Sequence, residues 1–236
     1  NGAGVAILNI GQVDVDSLIV NSGKFIELSS RKILHVNQII NNAGVTGIML
    51  KSNYTAPNPT LVYNNAISNA IEGTVELATK GNLANGNYNW QFVGLPVAEF
   101  SKRNGVLAGS YMRQFNEAAV VDGSIVTSPW TPVSEVMQAF RGYMITQANP
   151  RIIPFAGTLN NQSQVINLAY STSDPQPTYR GLNLLANSFT AALNIPNLLF
   201  SAGVINEVYL FNTGYRNSTQ DPSTTSGENA GVYLVV

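Results

Sequence analysis

The sequence predicts an all-β protein, with a solenoid-like or meandering segment over residues 1–80 and an antiparallel β-sandwich over residues 81–236. Three observations carry this. Apolar residues come in runs of four to six, rich in Val, Ile, Leu, Thr and Tyr and bounded by Gly, Asn, Ser and Pro. The turn-forming stretches NSG (21–23), NNAG (41–44) and NN (64–65) recur at roughly 20-residue intervals. Beyond residue 88 the runs become longer and aromatic, with turn-rich spacers, which suits a sandwich better than an α/β fold.

Taken in order, VAILNI (5–10), SLIV (17–20), KFIEL (24–28), KILHV (32–36), GIML (47–50), TLVY (60–63) and TVELAT (74–79) read as short strands. Alternation puts Val75 and Leu77 on one face and Thr74, Glu76 and Ala78 on the other. Asn and Gly suit the corners of stacked rungs because they tolerate left-handed backbone angles. No strict repeat is visible, so an irregular meander is the alternative. GNLANGNY (81–88) carries turn residues without apolar period and marks the domain boundary. After it, NWQFVGLPV (89–97), GSYMRQFN (109–116), FRGYMIT (140–146), QVINLAYS (164–171), GLNLLANSF (181–189), NEVYLFNT (206–213) and GVYLVV (231–236) read as strands. PVSEVMQAF (132–140) is the one helix candidate, with Ser134 as cap and no acidic capping-box partner. The segment TGYRNSTQDPSTTSGEN (213–229) is expected to be a long polar loop.

Composition narrows the function. Charged residues make up 11% of the 236, against about 25% in an average soluble domain. The net charge is −1, so no basic patch points to nucleic acid or an anionic membrane. Polarity comes instead from uncharged side chains, with 29 Asn. The absence of Cys removes disulfides, thiolate metal sites and Cys nucleophiles. One His removes His-rich metal sites. No apolar run reaches the ~18 residues that span a bilayer, so no membrane insertion is expected. A chain that opens on Asn1 is expected to be processed or part of something longer.

Five stretches resemble, in order, a β-rich module of secreted and cell-surface Bacteroidetes proteins exported by the type IX system, found upstream of their C-terminal sorting domain. They are TVELATKGNLANGNYNWQFVGLPV (74–97), SPWTPVSEVMQAFRGYMI (128–145), IPFAGTLNNQSQVINLAY (153–170), GLNLLANSFTAALNI (181–195) and NEVYLFNTGY (206–215). The resemblance covers residues 72–236, and more loosely the part before. Leu182 stands where the family has Trp, and Ser188 where it has Pro. The strand that usually follows one like GVYLVV is missing, which implies a sandwich incomplete at its C-terminus. The resemblance implies an extracellular or outer-surface all-β module without a known reaction or cofactor. Its partners would be other domains of the same polypeptide or surface-assembly proteins.

Asp14 and Asp16 alternate with Val13 and Val15, so both carboxylates leave one face, about 7 Å apart. Such a pair is a candidate calcium site, although solvated strand charge is the commoner role. Asp16-Ser17-Leu18 resembles the Bacteroidetes O-glycosylation acceptor, which makes Ser17 a candidate glycosylation site. His35 is expected to be structural, because no GxSxG presents a nucleophile for it. Glu117, Asp122, Glu135, Asp174, Glu207, Asp221 and Glu228 include no local motif for a glycosidase pair. Trp90 and Tyr143 are expected in the core. Trp130 and Tyr215 lie among turn residues and are the candidates for stacking on sugar rings. The sequence therefore favours a non-catalytic structural or adhesive surface module. The alternatives are a carbohydrate-binding accessory module of a polysaccharide-degrading enzyme, or an enzyme.

Overall fold

A computed structural model describes residues 5–7, 11–66, 69–79, 81, 90–117, 129–170, 180–212 and 232–235. These residues are all-β, with only short 3-10 turns as helix. Seven strands make up the first part: β1 (Val5–Ile7), β2 (Gln12–Val20), β3 (Phe25–Leu28), β4 (Ile33–Asn41), β5 (Ile48–Leu50), β6 (Thr60–Tyr63) and β7 (Glu72–Thr79). They alternate between two parallel ladders, β1-β3-β5-β7 and β2-β4-β6. Val5 pairs with Phe25 and Gln12 with Ile33, so one step along the stack takes about 20 residues. That step matches the Asn/Gly punctuation. Gly23 and Gly44 sit at the corners with φ of 71° and 61°, where a side chain would be strained. Between the ladders lie Leu28, Ile48 and Leu50 from one side and Leu34, Val36, Ile39 and Leu61 from the other, all buried.

The second part adds β8 (Gln91–Gly94), β9 (Glu99–Ser101), β10 (Ser110–Phe115), β11 (Trp130–Pro132), β12 (Val136–Gln138), β13 (Gly142–Gln147), β14 (Arg151–Thr158), β15 (Tyr209–Asn212) and β16 (Val232–Val235). Its main sheet is antiparallel, in the order β11-β10-β13-β8. β9 pairs with β12 and β15 with β16, both antiparallel. β14 crosses the sequence boundary and pairs antiparallel with β7, from Arg151↔Thr79 to Thr158↔Glu72. Tyr143, Ile145, Ile153 and Phe155 join the same buried core as the ladder residues.

The far edge of β6 is closed by two other segments. Leu61 donates its N–H to Thr190 O at 2.9 Å, and the Thr190 hydroxyl donates to Leu61 O at 2.6 Å. The Tyr63 hydroxyl donates to Leu159 O at 3.0 Å. Asn65, buried just past β6, continues that strand with its side chain. Its Nδ2 donates to Ile39 O at 2.6 Å, and its Oδ1 accepts from Ile39 N at 2.7 Å.

Three expectations are corrected. Residues 132–140 hold the end of β11 and the whole of β12, not a helix. Met137 is buried between exposed Val136 and Gln138, a period of two, and β9 satisfies the backbone. The Tyr143 hydroxyl locks this strand, accepting from Gln138 N at 2.8 Å and lying 3.2 Å from Gln138 O. QVINLAYS forms no ladder over 164–170, and residue 171 lies outside the described residues. GLNLLANSF makes only single bridges at Leu185 and Phe189. In both, side-chain amides replace ladder bonds. Asn183 bonds the N–H and the carbonyl of Ala169, each at 2.9 Å. This is the competition that Asn offers any strand.

Candidate functional site

β2 and β4 bring Asp14, Asp16, Ser17 and His35 together. Parallel register sets Asp14 beside His35, and their exposed side chains meet at 2.8 Å, His35 Nδ1 to Asp14 Oδ1. Gln12 Nε2 donates to the other Asp14 oxygen at 3.1 Å. Asn37 Nδ2 donates to Asp16 Oδ1 at 2.9 Å, and the Ser17 hydroxyl lies 3.5 Å from Asp16 Oδ2. Asn64 Nδ2 reaches Asn37 Oδ1 at 3.5 Å and extends the row beyond β6. Each carboxylate is thus met by donors from its own and the neighbouring strand. No group of three His, Asp or Glu side chains that could hold a metal occurs among the described residues. Ser17 is exposed on β2.

The acids of the second part do not converge among the described residues. Glu117 is buried, and its Oε1 accepts from Gly181 N at 2.9 Å. Glu135 pairs with Arg103 at 2.6 Å and Lys102 at 3.1 Å, and those hydrogen bonds hold its carboxyl below the usual range. Glu207 accepts from the Tyr209 hydroxyl at 2.9 Å, which pushes the phenol above its ordinary value. Asp122, Asp174, Asp221 and Glu228 lie outside the described residues.

Trp90, expected in the core, is exposed. Trp130 opens β11 opposite Phe115 and is half-buried, its ring 5.7 Å from Phe92 in a stack and 5.4 Å from Phe115 edge-on. Trp90 is 37% exposed. With Tyr111, Met112, Arg113, Pro132 and Thr146 it lines an open depression of about 300 Å³ on the β11-β10-β13-β8 sheet. Tyr111 and Thr146 come together here through the pairing of β10 with β13, a cross-strand relation that single-sequence alternation does not reveal. Tyr143 is buried, as expected. Tyr215 and Tyr179 lie outside the described residues.

Ser188, where the resembling family has Pro, is fully buried. Its hydroxyl accepts from Phe140 N at 2.6 Å, and Phe140 holds a φ of 61°. A side-chain acceptor thus supports a strained backbone position.

No protein-family model matches the chain, and no solved structure does. The chain is 35% identical over 237 aligned positions to the minor fimbrium subunit Mfa5 of Porphyromonas gingivalis. The match takes in 94% of this chain and 19% of that subunit, so the chain spans about a fifth of the length of its relative. No helix among the described residues is long and apolar enough to cross a membrane. The similarity to a fimbrial subunit places the chain outside the cell, at the cell surface.

Proposed function

We propose that the chain is a non-catalytic structural module of a fimbrium-associated surface protein, built as a solenoid-like stack of parallel rungs continued by an antiparallel sandwich. The match to the minor fimbrium subunit over 94% of the chain carries this reading. The architecture supports it. Buried apolar side chains from both parts form one core, and the acids described above are engaged by neighbours. Such a body resists local opening and proteolysis, which suits a component standing outside the cell. Its partners are other domains of its polypeptide and other surface-assembly subunits, it works without a cofactor, and its adhesive contribution comes through those assemblies. Export by the type IX route belongs to the same proposal.

Immunogold microscopy of intact producing cells, with an antibody raised to this segment, tests the reading. Gold is expected on surface fibres. Labelling that appears only after lysis would remove the proposal, and labelling that survives loss of the type IX machinery would remove its export arm.

A further inference from the structure

We propose that β1 and β2 are an interior rung of the stack, and that the same polypeptide lays a further rung against them from residues preceding Asn1. The core stripe does not stop at β2. Val13, Val15 and Leu18 stand in register with Leu34, Val36 and Ile39, which are buried. Yet Val15 is 36% exposed while its partner Val36 is 2% exposed. On β2 the stripe is thus only partly covered among the described residues: Val13 and Leu18 are half-buried against the core and Val15 is exposed. A terminal rung that ends a stack carries a polar outer face instead.

The free edge carries Asp14 and Asp16 but is covered by no other strand among the described residues. β2 is nine residues long, contains no Lys or Pro, and pairs only with β4 among the described residues. Exposed edges of that length are normally blunted or covered. Direction identifies the occupant. In each ladder the earlier strand lies one place further out, β6 then β4 then β2, and β7 then β5 then β3 then β1. With a step of about 20 residues, the strand beyond β2 belongs to sequence upstream of Asn1. The inference does not rest on a fimbrial role and holds for any parent polypeptide of this architecture.

Hydrogen exchange read by mass spectrometry on the dilute, monomeric full-length protein is the test. Residues 12–20 are expected to exchange as slowly as residues 33–41. In a form cut immediately before Asn1, protection of 12–20 should fall about 100-fold while 33–41 hold. Equal exchange of 12–20 in both forms would overturn the proposal. Should the cut form lose protection at 33–41 as well, a photo-crosslinking residue at Ile19 in the full-length protein decides. An adduct within the same chain, upstream of Asn1, is expected. An adduct to a second copy or another subunit, or none, would overturn it.

Discussion

Asn65 lies past the end of β6, and its amide supplies Ile39 with one donor and one acceptor, as the next residue of a strand would. Both Ile39 groups would be left buried and unpaired in Asn65→Ala. We expect a loss of about 2–4 kcal/mol in urea unfolding, and a loss under 0.5 kcal/mol would show the amide to be dispensable. Asn65→Asp should be worse, because an acceptor would then face Ile39 O. Tyr63, one turn of the same corner away, is buried, and burial pushes its phenol above the ordinary value. The neutral form is thus favoured in the fold. Its stabilisation is complete below pH ~10, where the unfolded phenol titrates, and is lost as pH rises toward the folded value. Tyr63→Phe should cost about 1 kcal/mol at pH 7 and flatten the alkaline fall in melting temperature. Burial raises Tyr143 too, so part of that fall should persist. Asp14 and Asp16 already accept from strand donors, and millimolar Ca²⁺ should leave the melting temperature unchanged in a fluorimetric scan. A rise of several degrees would support the calcium reading.

Among the elements, Gly94 and Gly142 face each other across β8 and β13 and leave a flat patch where residues 184–186 settle. A Cβ on Gly142 would come within 2.4 Å of Leu184 Cγ, and one on Gly94 within 2.5 Å of Ala186 Cβ. Gly142→Val should lift this segment, seen as faster limited proteolysis over 180–190 with the ladders intact. Unchanged cleavage would show that the segment repacks. Gly142 thus serves the close approach of Leu184 to the sheet. Strands β3 to β7 were legible because turn residues frame each apolar run. β9 and β12 were not, because three-residue strands carry too few alternations, and only their pairing with each other defines them. The strand-like texts at 164–170 and 181–189 misled for a different reason. Asn183 and Asn187 spend their amides on nearby backbone, and no ladder forms.

For the whole molecule, the boundary text at 81–88 divides the sequence more sharply than the described structure divides the core. β7 and β14 share a continuous ladder, and residues from both parts belong to one apolar cluster. Calorimetry should therefore give one transition with equal calorimetric and van't Hoff enthalpies, and two resolved peaks would show independent halves. The polar row on β2 and β4 was half legible. Alternation placed Asp14 and Asp16 on one face, but the parallel register that delivers His35 and Asn37 to them belongs to the tertiary fold. The pairing of β7 has a further consequence. On one side it has a parallel neighbour and on the other the antiparallel β14, so only the end bearing β1 can accept another coil of the same kind. Duplicating or deleting one such coil there would change the molecule's reach by about 4.8 Å and leave the antiparallel half undisturbed. Descendants of this scaffold could differ in stature by whole coils while keeping the same base.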